Sequence, residues 1–317
     1  MSLIARNAAV FTFSGIDKTQ FAAALDKIPF TPMTGLESSR LGFVPPINGD
    51  ASLIHFAADV GAFALRMDSK ILPASVVAAE VAHRAEEIEE QQGYRMGRKA
   101  RKELTEQVTD ELLQKAFTRT TLIRGFVDFA NGRLVIDAAA PGKVEEVVIA
   151  ISRGIDKAHD SDTSAGVQIR PWRTANDPGS VMTGWLHSGD VPTGITIDNM
   201  ALIENEEGGK VRISKLDVNA DEFRNLLTNG SSVTELAITI DDVISITLTD
   251  KLMIKRITHL DMTSHDERTA DMFEDQLREA EIILNAGAVS TVMSAIDDAM
   301  GGAKVALMSL SKAAGPA

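Results

Sequence analysis

Apolar positions change their spacing several times along this chain, and each change marks an element. Residues 10–14 read as a strand. Residues 17–27 read as a helix, with Phe21, Ala24, Leu25 and Ile28 on one side, because residues three and four apart share a helical face. The apolar run Leu41-Gly42-Phe43-Val44 stops at Pro45-Pro46, which cannot donate to a sheet ladder. Phe63, Leu65 and Met67 alternate with smaller or polar residues, the period of a half-buried strand ending near Lys70 and Ile71. Pro73 then suits the first turn of a helix whose stripe is Val77, Val81, Ala85 and Ile88, until Gly93 supplies a stop. A second helix follows with the stripe Leu104, Val108 and Leu112, and Lys99 and Lys102 fall on the opposite face. Together the two read as a projecting hairpin.

Residues 121–129 and 133–137 are β-rich and joined through Ala130-Asn131-Gly132, a hairpin signal because Asn and Gly tolerate positive φ. Residues 143–152 return to helix, and the small, polar stretch 156–166 marks a boundary. Beyond it, 167–172 reads as an edge strand and 182–186 as a short helix. Residues 195–203 and 210–214 flank Glu206-Glu207-Gly208-Gly209, and 233–240, 243–248 and 253–258 form a meander turned at Asp241-Asp242 and Asp250-Lys251. A helix is expected over 221–228. Ser264-His265-Asp266-Glu267 has capping-box spacing and opens a helix through Met272, Leu277 and Ile283, with a separate helix over 289–300.

The chain has 317 residues, 44% of them hydrophobic, enough for a substantial core split over two or three sub-domains. It has no cysteine, which excludes disulfides, thiol nucleophiles and Cys-based zinc sites and fits a cytoplasmic address. The short apolar stretch 8–13 lacks the length and cleavage site of a signal peptide, and no membrane span is expected. The net charge of −13 argues against a polyanionic partner until its distribution is considered. Residues 95–102 read RMGRKARK: Arg95, Arg98, Lys99, Arg101 and Lys102 are basic and no acid stands among them. Lys115, Arg119 and Arg124 follow. An acidic chain can still concentrate positive potential on one surface. On charge alone, however, the run reads as a solvated helix face, with the acids Glu86, Glu87, Glu89 and Glu90 of the preceding helix available for pairing.

Little else in the sequence points to catalysis. His259, Asp261, His265 and Asp266 are the best imitation of a metal site, but they lack a third histidine and an H-E-x-x-H frame. No G-x-S-x-G elbow, P-loop or dinucleotide fingerprint occurs, so neither a catalytic residue nor a cofactor is expected. Three readings stand open on the residues: a DNA-binding protein, a metal-dependent hydrolase using His259 and His265, and an acidic protein-interaction module that never touches DNA.

Five stretches change that balance. Ile28-Pro29-Phe30-Thr31-Pro32, Leu41-Gly42-Phe43-Val44-Pro45-Pro46, Lys70-Ile71-Leu72-Pro73, Lys115-Ala116-Phe117-Thr118-Arg119 and Asp128-Phe129-Ala130-Asn131-Gly132 resemble, in order and spacing, the RdgC family of bacterial recombination-associated proteins. The resemblance is clear over residues 8–154 and sparser afterwards. It implies an α+β protomer with a central mixed sheet (residues 1–72 plus 118–160), a helical tip (73–117) and a second α/β base sub-domain (161–317). It also implies pairing of two copies into a ring-shaped homodimer with a positively lined hole. The implied activity is non-enzymatic: binding of double-stranded DNA, and of single-stranded DNA as a further ligand, with little sequence preference, and restraint of RecA-mediated recombination in the cytoplasmic nucleoid. Carried over residue by residue, Phe117 matches the tip phenylalanine that helps close the ring, and Lys70 and Pro73 match the turn it packs against. Lys215 sits where the family has a basic residue in the base. The resemblance thereby turns Arg95, Arg98, Lys99, Arg101, Lys102, Lys115, Arg119 and Arg124 towards DNA contact. Tyr94, Gly97 and Leu216 depart from the pattern and carry no such role.

Overall fold

A computed structural model describes residues 5–35, 37–47, 49–159, 166–216, 218, 220, 225–227, 230–260 and 274–302. Its frame is a long sheet in which β1 (Asn7–Ser14) joins two halves. In the first half, β2 (Ser39–Val44), β3 (Ile54–Ala57), β4 (Val60–Lys70), β5 (Thr118–Asp128) and β6 (Arg133–Asp137) pair, with β4 in contact with β2, β3 and β5. In the second half, β10 (Ser232–Ile240), β11 (Ile244–Thr249) and β12 (Ile254–His259) form a meander, β8 (Ile195–Glu204) pairs with β10, and β9 (Lys210–Ser214) lies at the edge beside β8. β7 (Gln168–Pro171) pairs with β1. Along β1, Ala9 to Thr12 face β6, Asn7 and Ala8 face β12, and Phe11 to Ser14 face β7, so this one strand carries the hydrogen bonding across the molecule.

The fold is α+β, but the sheet is not mixed. Every pairing between the described strands is antiparallel, and only the isolated bridge Pro29–Phe43 is parallel. The reason lies in β1. The crossover β6, α4 (Pro141–Ala158), β7 would by itself set two strands in parallel, as helical crossovers do. The insertion of β1 between them turns that relation into two antiparallel ladders.

Two large cores flank this sheet. Under α1 (Lys18–Leu25) and α4, Phe21, Phe43, Phe63, Leu65, Ile123 and Val127 are buried, with Phe63 edge-on to both Phe21 and Phe43 at 6.2 and 6.0 Å. Asp17 starts α1 with a reciprocal capping box to Gln20. In the second half, α5 (Pro178–Ser188) and α6 (Glu274–Ala299) cover Leu236, Ile238, Ile246, Leu248 and Ile254.

Three expectations need correction here. β4 was expected to be half-buried, yet residues 60–65 are buried on both faces, because Ala62 and Ala64 are small enough to let α6 lie across the second face, where Ile282 joins Ala62 and Phe126. The helices expected on either side of residue 287 are one continuous helix. Gly287 weakens it by about 1 kcal/mol relative to alanine, but the buried stripe Ile282, Val289, Val292, Met293 and Ile296 holds it through that point. No apolar segment of spanning length was expected either, whereas Gln276–Ala299 is long and apolar enough by length and composition. That apolar stripe is spent on the core.

The Asn-Gly hairpin forms, though not as a two-residue turn. Its loop takes residues 129–132; Gly132 has φ +60°, and Asn131 is held by Asp128, which accepts from its backbone N at 3.0 Å and from Nδ2 at 2.7 Å. A Cβ on Gly132 would lie 2.8 Å from the Phe13 carbonyl oxygen. Gly132→Ala is therefore expected to cost at least about 1 kcal/mol in a denaturant melt; an unchanged midpoint would show the loop free to rearrange. The turn expected at Asp241-Asp242 joins β10 to β11, with the two residues at φ +50° and +57°. Of the helix expected over 221–228, residues 225–227 are described and helical. The capping box at 264–267, Met272 and the boundary residues 160–165 lie outside the described residues.

Candidate nucleic-acid interface

α2 (Ala74–Gln92) and α3 (Arg98–Lys115) form a hairpin with a small core of its own. Val81, Ala85, Leu104 and Val108 are buried, with Val77, Ile88, Met96 and Leu112 around them; beyond the expected stripe, Leu113 is also buried. Arg84 bridges the two helices, donating to Glu80 at 2.8 Å and Glu111 at 2.7 Å. Gly93 ends α2 at φ +76°, and Glu89 accepts from the Met96 backbone N at 2.8 Å, which closes the connection.

Arg98, Lys99, Arg101 and Lys102 occupy the first turns of α3, all exposed, and Arg95 is exposed just before them. The Lys99 side chain is 92% exposed. Lys99 approaches Glu103 at 4.0 Å and Lys102 approaches Glu106 at 3.6 Å, exposed i,i+4 pairs of little energetic weight. Among the described residues no ion pair joins Glu86, Glu87, Glu89 or Glu90 to these cations. The arrangement also opposes the helix dipole. A helix N-terminus carries partial positive charge and unpaired N–H groups, so stability favours acids there; α3 has none in its first turn, and its N-cap, Gly97, offers no side chain.

At the other end of the hairpin the chain re-enters the sheet. Lys70 Nζ donates to the Ala116 carbonyl at 3.1 Å, and the Ile71 N–H donates to the Phe117 carbonyl at 2.8 Å. Phe117 itself is 85% exposed. Pro73, the N-cap of α2, is exposed two residues after Ile71, and two apolar residues to which the sequence reading gave no site role are exposed as well: Ile71 at 53% and Val76 at 47%. Their signal was an apolar residue between Lys70 and Pro73, and a valine off the Val77–Val81 stripe. Lys115, in the last turn of α3, and Arg119, opposite Ser69 on β5, are exposed near this root.

The structure thus gathers the candidates into two groups, separated by the length of α3, roughly 25 Å at 1.5 Å per residue. Arg95, Arg98, Lys99, Arg101 and Lys102 lie at the far end of the hairpin, and Lys70, Pro73, Lys115, Phe117 and Arg119 at its root. Two residues stand apart. Arg124 is half-buried, lining a narrow cleft with Asp137, Ile282 and Asn285 under α6. Lys215 is exposed after β9 at φ +59°, its N–H donating to the Asn199 carbonyl at 2.9 Å.

Near the root, Asp68 accepts from Arg66 Nε at 2.9 Å and NH2 at 2.7 Å, while the guanidinium lies 4.3 Å from the centre of the Phe30 ring. Hydrogen bonds from Arg66, assisted by Thr120 and opposed by burial, hold the Asp68 carboxyl below its ordinary range. A carboxyl whose pKa is lower folded than unfolded adds stability that is complete above the unfolded value, about 3.9, and is lost as pH falls through the folded one. The denaturation midpoint of the parent should therefore exceed that of Asp68→Asn at pH 6, with the gap closing below about pH 4. A gap that stays constant down to pH 2 would contradict this.

Among the described residues no group of three or more His, Asp or Glu side chains is placed to hold a metal ion. His259 closes β12, and Asp261, His265 and Asp266 lie outside the described residues.

An antiparallel sheet spliced through one strand, bearing a projecting helical hairpin with a basic start, defines an α+β class with a charged arm. The family model described as "Putative exonuclease, RdgC" matches residues 3–303. The chain belongs to the RdgC family. It is 37% identical over 275 residues to the recombination-associated protein RdgC of Burkholderia cenocepacia, covering 86% of each chain. It is 35% identical over 287 residues to the protein of that name from Cupriavidus pinatubonensis, covering 90% of this chain and 92% of the relative. To that of Bordetella parapertussis it is 32% identical over 287 residues, covering 90% and 93%. The match therefore continues well past residue 154, through the second half, where local motifs were sparse. The relatives' name carries no enzymatic activity, whereas the family description names a nuclease.

Proposed function

We propose that this chain binds duplex DNA without sequence preference as a ring-shaped homodimer in the nucleoid, and that by occupying DNA it restrains RecA-mediated recombination. The observation that carries the reading is the start of α3, where four exposed cations stand against the helix dipole with no acid in the first turn. A sequence selected for helix stability alone would place acids there. Cations combined with unpaired backbone N–H groups suit phosphate oxygens, which both kinds of donor recognise without reading base edges. Exposed Phe117, flanked by Ile71, supplies an apolar anchor at the opposite end of the hairpin, suited to a contact between copies.

The nuclease named in the family description is the competing reading. Both are tested by gel shifts with several unrelated duplexes of equal length, and with single strands, at rising salt. Divalent metal or chelator is included, and the DNA is recovered on denaturing gels. Salt-sensitive binding that is indifferent to sequence and chelator, with intact DNA, is the expected result. Metal-dependent shortening of the strands would establish the nuclease. A strong preference for one duplex at physiological salt would refute sequence-neutral binding.

A further inference from the structure

Two aromatic side chains are exposed among the described residues, one at each end of the hairpin: Phe117 at its root and Tyr94, 66% exposed, in the connection between α2 and α3. Tyr94 is the only tyrosine of the chain. The connection around it is fastened on both sides. The Gly93 N–H donates to the Glu89 carbonyl at 2.9 Å, the Met96 N–H donates to Glu89 Oε1 at 2.8 Å, and the Met96 side chain packs on the hairpin core of Val81, Ala85, Leu104 and Val108. Tyr94 and Arg95 stand between these anchors with both side chains exposed. No aromatic or cation–π contact among the described residues engages the Tyr94 ring.

A single exposed tyrosine needs no explanation, since apolar atoms make up much of any protein surface. Its neighbours give this one a ligand class. Arg95 follows it directly, Arg98 and Lys99 come four and five residues on, and no acid stands from Arg95 to Lys102. Four residues of extended chain span at most about 14 Å, so ring and cations act on one short stretch of a bound strand. Cations beside an exposed aromatic face are the combination that holds single-stranded nucleic acid: the cations follow the phosphates, and the ring stacks on a base whatever its identity. Inside an intact duplex both faces of every base are already stacked on neighbours, so the ring finds no partner there. Unpaired bases at a gap, at an end or in a single strand offer theirs. An acidic protein surface would meet the cations alone.

We propose that Tyr94 is a stacking platform for an unpaired base, so that the far end of the hairpin gains a contact on DNA with unpaired bases that it lacks on intact duplex. The inference rests on the DNA contact proposed for the start of α3 and adds what cations alone do not supply, a response to whether the bases are paired. Tyr94 departs from the family pattern that turned its basic neighbours towards DNA, so this response belongs to the chain's own residue.

The test measures binding of the full-length protein by fluorescence anisotropy on an intact duplex, the same duplex with a short central gap, and a single strand. Tyr94→Ala should lose at least about fivefold in affinity for the gapped duplex and the single strand while changing less than about twofold on intact duplex. Tyr94→Phe, which keeps the ring and loses the hydroxyl, should bind all of them like the parent. The slope of log affinity against log salt should stay in place in Tyr94→Ala, because stacking releases no counterion, whereas a lost phosphate contact flattens it. In Tyr94→Trp, single strand should quench the indole introduced at position 94, and the change is assigned to that position because Trp172 and Trp185 are buried. Tyr94 lies outside the hairpin core, so each variant should melt with the parent. If the parent binds intact duplex, then an equal loss on intact and gapped duplex, no loss on either, or failure of Tyr94→Phe to match the parent would overturn the stacking role and leave the proposed function standing. A parent that binds no DNA would overturn both.

Discussion

Replacing Arg98, Lys99, Arg101 and Lys102 together by Glu should weaken duplex binding by at least about a hundredfold at 0.1 M salt and flatten its salt dependence. Each phosphate contact releases condensed counterion, which contributes roughly 0.9 to the slope of log affinity against log salt, and the reversal removes those terms and adds repulsion. The fold should survive. None of the four side chains belongs to the buried cluster of Val81, Ala85, Leu104 and Val108. The same change should leave α3 about as stable, since acids in a first turn complement the dipole that the native cations oppose, while Lys99→Glu and Lys102→Glu set like charges against Glu103 and Glu106. The two readouts therefore separate: DNA affinity falls while the melting temperature holds. A solvated face with no ligand predicts the second effect without the first, so unchanged affinity with intact folding would assign the cluster to solvent.

Much of the frame was legible in the sequence wherever a period repeats over several residues. The stripe from Val77 to Ile88, the stripe through Leu104 and Val108, the Asn131-Gly132 loop and the meander turning at Asp241-Asp242 all depend on neighbours close in the chain. What stayed hidden depends on partners far away. Asn7 and Ala8 pair with Lys255 and Ile254, and no local pattern in either strand announces the other. The double burial of β4 rests on Ala62 and Ala64, small residues that read as a solvent face until a helix from the other end of the chain lies on them. Arg124 shows the same effect at the candidate site: in sequence it continues the series Lys115, Arg119, but strand pairing sets it opposite Asp137 and under α6. The two helices expected over this last segment are one, because its buried stripe, which meets strands far away in the chain, carries α6 through Gly287.

Truncating Phe117 to Ala should leave a dimer that can no longer hold circular DNA. A ring made from two identical chains needs two separate contacts, and under two-fold symmetry each must straddle the same axis. That axis lies in the plane of the ring, so DNA through the hole runs perpendicular to it and can share its symmetry with the duplex backbone. In the proposed ring, the contact made by Phe117 would lie at the root of the hairpin and would be small, so its strength would rest on one or two buried anchors rather than on area. Phe117 is suited to that part: it is 85% exposed in the single chain, its carbonyl is tied to Ile71, and Lys70 fixes the preceding carbonyl, so its backbone is held while its ring is free to enter a partner. Pro73, Ile71 and Val76 offer the same apolar character for the pocket wall on the other copy. Loss of the ring should cost on the order of 2 kcal/mol at that contact, about thirtyfold in its closed population. In the proposed ring the second contact would keep the chains together, so light scattering should still report a dimer. The parent should stay on a covalently closed circular duplex through a high-salt wash and leave it once the circle is cut, whereas Phe117→Ala should wash off both forms. Dissociation into monomers, or retention on closed circles equal to the parent's, would show that Phe117 does not close a ring.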